Sequence, residues 1–207
     1  MLNFTFNSLG EAWIYTLKTI MHSGEIICDN DNLLKEIYGL TLTLNDVSID
    51  SIIQQYADKD RIELMQKKYS TCGLVGGYKI DYGSYLFNNN GINQIEWIIT
   101  KLRTNRETKS ATIGLHKPGE NQLSCLSLLD FKIRNEQLKM GVVYRSQNAY
   151  ASHPGNMLAL RRIQKDVANK LDLAVGPVKL VVFSSHVYKH DFSAVNKILS
   201  EVNSFEV

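Results

Sequence analysis

The sequence has few of the residues that build disulfide scaffolds, interdomain linkers or membrane spans. Its 207 residues include only three cysteines and three prolines. No apolar run approaches the roughly 18–20 residues needed to cross a bilayer. Cys28, Cys72 and Cys125 are odd in number and lack metal-ligand spacing, which argues against both a disulfide framework and a zinc site. No linker and no internal repeat divides the chain, so one domain over residues 1–207 is expected.

Positive and negative charges nearly cancel, so the chain has little excess of either sign. The chain carries 23 basic and 21 acidic side chains, a net charge of +2. Binding to nucleic acid or to an anionic membrane needs concentrated positive charge, so neither partner is expected. The segment Met1–Gly10 lacks the basic stretch and long apolar core of a signal peptide. We therefore expect an intracellular, cytoplasmic protein without a bound metal.

Hydrophobic periodicity predicts three helices in the first half of the chain. Apolar residues recur at helical spacing over Leu9–Ser23, over Ile49–Lys68 with Ser48 as a possible cap, and over Ile92–Leu102. The stretch Ile37–Leu44 is rich in Ile, Leu, Thr and Tyr, which is typical of a strand. The segment Cys72–Tyr85 contains four glycines and is predicted to be largely loop.

The second half alternates strands with one long helix. A turn at Asn135-Glu136 joins two of the predicted strands as a hairpin, and a helix over Gly155–Lys170 precedes the last strand. The predicted strands are Ala111–Leu115, Leu123–Arg134, Leu138–Arg145 and Val178–Ser184. This order indicates an α+β domain with helices packed on a sheet.

Several polar residues in this half could carry chemistry, and each also has an ordinary structural interpretation. Cys125 follows the predicted loop Pro118–Gln122 and is either a small buried hydrophobic residue or, beside a cation, a nucleophile. Arg145-Ser146 ends a strand, and an arginine beside a hydroxyl suits an oxyanion such as phosphate. Arginines at strand ends are also common without such a role.

Three further residues leave the same two interpretations open. Asn156 follows Pro154-Gly155, where it could simply cap the next helix. His186 and Tyr188 are two positions apart on a strand, so their rings share one face. Such a pair could bind a sugar hydroxyl, or it could simply lie at the edge of the sheet without a binding role.

The order and spacing of these residues add a specific pattern. A phenylalanine, Phe131, follows Cys125 by six positions, Arg145-Ser146 follows at twenty and twenty-one, and Asn156 closes a Pro-Gly-Asn element ten residues after Ser146. Other elements of the same pattern are His186-Val187-Tyr188, Gly91-Ile92-Asn93-Gln94-Ile95 and Tyr82-Gly83. Over about Tyr82–Tyr188 the chain resembles the thymidylate synthase / pyrimidine nucleotide hydroxymethylase superfamily.

This resemblance implies a fold and a reaction. The expected fold is thymidylate synthase-like, with helices packed on a mixed β-sheet that forms the interface of a homodimer. The expected reaction transfers a one-carbon unit from methylene-tetrahydrofolate, or a related reduced pterin, to C5 of dUMP and gives dTMP. A cysteine thiolate adds to C6 and turns the pyrimidine ring into a nucleophile at C5.

The resemblance also implies a role for each matched residue. Cys125 would be the nucleophile, and Asn156 would recognise the base, since an amide can both donate to and accept from uracil. The remaining roles are a 5′-phosphate site at Arg145 and Ser146, completed by Lys109 of a partner subunit, a sugar site at His186 and Tyr188, and a pterin contact at Asn148.

The sequence departs from the family where the one-carbon donor would bind. Asn148 stands in place of an aspartate, and Lys109-Ser110 stands in place of an arginine pair. The family's catalytic glutamate and its folate-stacking tryptophans are not visible in Ile49–Lys68. The acidic residues Asp58, Asp60 and Glu63 lack the surrounding motif, so the glutamate's replacement stays unassigned.

These departures leave alternatives open. The chain could be a C5-hydroxymethylase, in which water captures the exocyclic methylene, or a nucleotide-binding homologue without turnover. The sequence does not decide the one-carbon donor, the choice between ribose and deoxyribose, or a methyl against a hydroxymethyl product.

Overall fold

The computed structural model describes residues 4–116, 119 and 122–203. Most of the predicted loop at 118–122 lies outside these residues. The helices are α1 Leu9–Ser23, α2 Ser51–Tyr56, α3 Lys59–Ser70, α4 Tyr82–Phe87, α5 Gln94–Thr104, α6 His153–Lys170 and α7 Phe192–Asn203. The strands are β1 Phe4–Phe6, β2 Glu25–Asp29, β3 Asn32–Leu44, β4 Thr112–Gly114, β5 Leu126–Arg134, β6 Gln137–Asn148 and β7 Ala174–Tyr188.

The described strands form one mixed sheet in the order β1-β3-β7-β6-β5-β4, with β2 paired to β3. Two pairs are parallel, β1 with β3 and β6 with β7. The other pairs are antiparallel. Because β6 and β7 run in the same direction, the chain must cross back between them, and α6 is that crossover. The prediction of an α+β fold with helices on a mixed sheet is confirmed.

Strand alternation separates a buried face of the sheet from an open face. On β6, Leu138, Met140, Val142 and Tyr144 are buried, whereas the residues between them are more exposed. The buried side chains join those of α1, α5 and α6 in one hydrophobic cluster. The period of two therefore directs every second side chain of the sheet toward the helices.

The predicted hairpin forms at the expected place. Asn135 and Glu136 have φ values of 54° and 56° and join β5 to β6. Two consecutive residues of positive φ match the right-handed twist of the strands that they connect. A second hairpin, which sequence reasoning missed, joins β2 to β3 through Asn30 and Asp31 at φ 47° and 66°.

Four sequence predictions are corrected by the structure. The single helix expected over Ile49–Lys68 is two helices, because the side chains of Asp50 and Asp58 cap α2 and α3 separately. Ser48 caps neither helix and donates its hydroxyl to Asp46. The strand expected over Ile37–Leu44 begins earlier, at Asn32, where the β2 hairpin extends it. The loop expected over Cys72–Tyr85 ends at the first turn of α4, which Asp81 caps.

A glycine sets the distance between α3 and α6. A Cβ built on Gly155 would lie 2.8 Å from Met65 Cγ and 3.1 Å from the Ile62 Cα. Contact this close excludes a larger side chain unless the helices separate. Gly155 therefore fixes how deeply α3 sits against the first turn of α6.

We expect Gly155→Ala to lower the free energy of unfolding by about 1–3 kcal/mol, because the added methyl group overpacks the α3–α6 contact. Gly114→Ala is the matched control, since a Cβ at Gly114 meets nothing within 4 Å. Urea unfolding of both variants and the wild type measures the effect. Equal stability of all three proteins would contradict this account of the contact.

Candidate active site

Four chain segments meet at one edge of the sheet. These are the start of β5, the end of β6, the first turn of α6 and the end of β7. The register pairs Ser146 with Ser184 and Asn148 with His186, so the carboxyl ends of β6 and β7 lie side by side. Trp13 Nε1 donates to the Ala149 carbonyl oxygen at 2.8 Å and anchors α1 to the end of β6.

Cys125 and Arg145 are in contact at this edge. Cys125 immediately precedes β5, and its carbonyl oxygen accepts from the Arg145 N–H at 2.9 Å. The Arg145 guanidinium donates to the carbonyl oxygens of Ser124 and Leu123 and lies 3.9 Å from Cys125 Sγ. A guanidinium in this position is suited to stabilise negative charge on the sulfur. Cys125 is half-buried and forms no disulfide.

A cluster of tyrosines supports the backbone at Cys125. The Tyr82 hydroxyl accepts from the backbone N–H groups of Cys125 and Leu126 at 3.1 and 3.2 Å. The Tyr82 ring stacks on Tyr69, whose hydroxyl lies 2.6 Å from that of Tyr144. Burial, together with the negative charge of an ionised Cys125, raises the pKa of Tyr82 to about 12. Tyr82 is therefore a neutral phenol that holds the cysteine-bearing segment in place.

A cavity of about 470 Å³ opens beside Cys125. Six of the eight residues singled out from the sequence line it, namely Cys125, Ser146, Asn148, Asn156, His186 and Tyr188. Arg145 reaches the cysteine sulfur but is not among the lining residues. The volume falls in the range of ordinary small-molecule sites.

Asn156 faces this cavity and does not cap α6. The cap position belongs to Ser152, and Asn156 lies inside the first turn, where it is 5% exposed. Within residues 4–116, 119 and 122–203 its side-chain amide has no hydrogen-bond partner. A buried amide without a protein partner at a cavity wall is suited to bind a ligand.

The pterin candidate, Asn148, has only part of its amide free. Asn148 Oδ1 accepts from the Ala151 N–H at 2.9 Å and closes the turn before α6. Its amide nitrogen remains as a donor at the cavity wall.

His186 and Tyr188 lie side by side on β7, as the alternation of the strand predicts. Their rings meet edge to face with centroids 5.0 Å apart, and His190 stacks on the other side of Tyr188. His186 Nδ1 lies 3.4 Å from the Ser184 carbonyl oxygen. Burial lowers the pKa of His186, so the ring is neutral at neutral pH.

The α3 wall of the cavity carries residues that sequence reasoning missed. Arg61, Met65 and Lys68 lie on one helical face and line the cavity. The acidic residues Asp58, Asp60 and Glu63 are exposed and do not line it, and Asp58 instead caps α3. The one signal in the sequence was the i, i+4, i+7 spacing of Arg61, Met65 and Lys68, which places two cations on one side of a helix.

Gln147 also lines the cavity, and the sequence analysis did not single it out. Gln147 is 2% exposed, and its Oε1 lies 2.9 Å from His153 Nδ1. Burial lowers the pKa of His153 to about 4, so this ring is neutral and serves as a hydrogen-bonding support.

The structure does not bring Lys109 into the cavity of its own chain. Lys109 is exposed between α5 and β4. Cys28 and Cys72 are exposed at other places.

Among the described residues, no cluster of three metal-ligating side chains occurs. The same residues contain no helix of the length and apolarity that a membrane span requires.

Known proteins are similar to this chain over most of its length. The family model described as thymidylate synthase matches residues 18–205. A protein of Methanosarcina mazei named "Putative thymidylate synthase" is 29% identical over 203 residues, which cover 95% of this chain and 94% of that protein. A protein of the same name from Methanococcoides burtonii is 28% identical, covering 94% and 93%, and one from Methanopyrus kandleri is 28% identical, covering 87% and 90%. Because the family match spans residues 18–205, which is most of its length, the chain belongs to the thymidylate synthase family.

Proposed function

We propose that this protein transfers a one-carbon unit from methylene-tetrahydrofolate, or a related reduced pterin, to C5 of dUMP and produces dTMP. The observation that carries the proposal is the position of Cys125 at a cavity of about 470 Å³, with the Arg145 guanidinium 3.9 Å from its sulfur. A cysteine thus placed can attack a ligand bound in the cavity, and the adjacent cation stabilises its thiolate.

The chemistry follows from the poor nucleophilicity of a pyrimidine C5. Addition of the Cys125 thiolate to C6 places an electron pair on C5, which then attacks the one-carbon electrophile. Elimination of the cysteine restores the ring at the end of the reaction. Holding sulfur, ring and donor in line supplies much of the rate enhancement.

Each polar group of the cavity then has a place in nucleotide binding. Asn156 binds the uracil edge, and His186 with Tyr188 binds the sugar hydroxyl. Ser146 and Arg145 bind the 5′-phosphate, since a guanidinium and a hydroxyl donate to oxyanion oxygens. In support, the side-chain amide of Asn156 has no other partner among the described residues.

The residues around the remaining part of the cavity fit a reduced pterin. The rings of Tyr78 and Tyr188 offer aromatic surface for a planar heterocycle, and Asn148 offers an amide donor. When bound, the pterin supplies the one-carbon unit and, for a methyl product, the hydride.

One experiment separates synthase activity from its alternatives. The protein is incubated with dUMP tritiated at C5, with and without methylene-tetrahydrofolate, and tritium release and product mass are measured. Synthase activity predicts tritium release and a mass equal to dTMP. A hydroxymethyl product would identify a hydroxymethylase, and nucleotide binding without tritium release would identify a homologue that does not turn over.

We expect Cys125→Ser to lower tritium release by at least about 1,000-fold, because a serine hydroxyl is scarcely ionised near neutral pH. Binding of dUMP, measured by calorimetry, should change little, since the substitution is nearly isosteric. Cys28→Ser and Cys72→Ser are the controls, because both cysteines are exposed away from the cavity. Full turnover by Cys125→Ser would refute the covalent mechanism.

For Asn156→Asp we expect the ratio of kcat/KM for dUMP over dCMP to fall by at least about 10-fold. A carboxylate accepts from the amino group of cytosine but cannot donate to O4 of uracil. Steady-state kinetics with both nucleotides, in the variant and in the wild type, measure the ratio. An unchanged ratio would show that Asn156 does not recognise the base.

We further propose that the open face of the sheet is the interface of a homodimer. The register aligns Leu128, Val143 and Val181 in an apolar row across β5, β6 and β7. Beside this row Phe183 and Tyr38 are 45% and 79% exposed, with ring centroids 6.0 Å apart. Contiguous exposed apolar surface of this kind is typical of an interface.

Dimerisation of this kind supplies Lys109 to the partner's phosphate site. We expect the separately inactive Cys125→Ser and Lys109→Glu proteins to complement each other when mixed. One of the two sites in each heterodimer is then intact, so activity should approach about one quarter of the wild-type value after random exchange. Light scattering checks the dimer mass. A monomer at micromolar concentration, or exchanged subunits without activity, would refute the shared site.

A further inference from the structure

Lys68 is a cation inside the cavity that has no role so far. It is 8% exposed, on the α3 wall. Its ammonium lies 3.7 Å from the centroid of the Tyr78 ring and 4.4 Å from that of Tyr82. Among the residues that the structure describes, no carboxylate lies within 4.0 Å of it. A lysine this buried is normally paired with an acid, so its position calls for a function.

Lys68 is connected to Cys125 through Tyr82. Tyr82, against which Lys68 packs, holds the Cys125 backbone through its hydroxyl. No hydrogen bond joins Lys68 to Cys125 within the described chain, although both line the same cavity. Both groups therefore border the cavity in which we place the pyrimidine.

We propose that Lys68 is a catalytic residue of this protein and accepts the proton that C5 loses after the one-carbon unit has been attached. This inference rests on the function proposed above. The reaction requires this proton transfer, and the inference assigns it to a lysine. That lysine lies on α3, in the segment where the sequence analysis looked for the family's catalytic glutamate.

The step balances with Lys68 in its neutral form. The C5–H bond breaks and its proton moves to Lys68 Nζ. The electron pair forms the exocyclic double bond to the one-carbon unit. The bond between that unit and the pterin nitrogen breaks, and the nitrogen keeps its pair and takes up a solvent proton. Lys68 afterwards returns its proton to solvent.

Electrostatics make this proton transfer feasible. Burial lowers the pKa of Lys68 to about 8, and the negative charge of Cys125 acts in the opposite direction. A lysine with a pKa near the working pH has a substantial neutral fraction and remains basic enough to take a proton. Arg61 on the same helix and Lys79 on the adjoining loop also face the cavity, whereas α6 faces it through Asn156, which does not titrate.

Other titratable groups of the cavity are less suited to this step. The Tyr82 oxygen already accepts two N–H groups, and its pKa of about 12 makes the phenolate rare. His186 lies at the end of β7 beside Tyr188, where we place the sugar. Asp191 lies on the same side and 3.5 Å from His190 Nε2.

The test compares Lys68→Met, Lys68→Arg and the neighbouring control Lys67→Met, which changes an exposed lysine outside the cavity. The rate of tritium release is measured from pH 6 to pH 10. Because the base must be neutral, the wild-type rate should rise with pH through about 8 and then level off. We expect Lys68→Met to be slower by about 100-fold or more and to lack this rise. Lys68→Arg should behave in the same way, since a guanidinium stays protonated.

A second readout needs no pterin and no turnover. Trace labelling of amines with acetic anhydride over the same pH range, followed by peptide mass spectrometry, reports the titration of individual lysines. We expect Lys68 to titrate near pH 8 and to be protected by dUMP. Lys67 should remain unprotected. Calorimetric binding of dUMP and circular dichroism show whether each variant is folded.

The outcomes separate this inference from the proposed function. A wild type that binds dUMP but releases no tritium with any pterin overturns the proposed function, and the inference with it. A wild type that turns over, with a folded Lys68→Met variant of equal rate and pH profile, overturns the inference alone. Wild-type activity in Lys68→Arg would also overturn it, because charge alone would then suffice.

Discussion

The parallel pairing of β6 with β7 is the constraint on which the site depends. Parallel strands end at the same edge of a sheet, so this pairing brings Ser146 and Asn148 beside His186 and Tyr188. The crossover that such a pair requires is α6, whose first turn starts at this edge and places Asn156 there. Antiparallel pairing of β5 with β6 adds Cys125, because β5 begins where β6 ends. Residues more than 60 positions apart in sequence thus come together through sheet topology alone.

This topology explains why six of the eight residues singled out from the sequence line one cavity. The segment from Cys125 to Asn156 is one hairpin and one tight turn, so its geometry is fixed by local spacing, and the Asn135-Glu136 turn adopts the φ values that such a hairpin needs. The period of a strand likewise places His186 and Tyr188 on one face. Where local rules determine the structure, pattern and spacing were sufficient.

The α3 wall of the cavity could not be predicted in the same way. The break between α2 and α3 depends on Asp58 capping the second helix, in a segment whose apolar spacing suits one continuous helix. The side of α3 that faces the cavity is then decided by its packing on α6 at Gly155, a contact between residues about 90 positions apart. Lys68 looks like an ordinary solvent-facing lysine until that contact is known. The support that Tyr82 gives to Cys125 also could not be predicted, because it is a contact between residues 43 positions apart.

The alternation of β6 also relates the site to the open face of the sheet. Tyr144 lies in the core and holds Tyr69, the next residue faces the open side, and Ser146 borders the cavity. Arg145 is therefore rooted on the open face, yet its guanidinium turns back over the edge to the Cys125 sulfur. On the proposed function, the phosphate lies where the two faces meet, beside Arg145 and Ser146. A doubly charged group held by one guanidinium leaves charge uncompensated, and a second subunit packed on the open face brings further cations to that boundary. The alternation that builds the core thus places Arg145, the proposed phosphate ligand, beside the surface where a partner would bind.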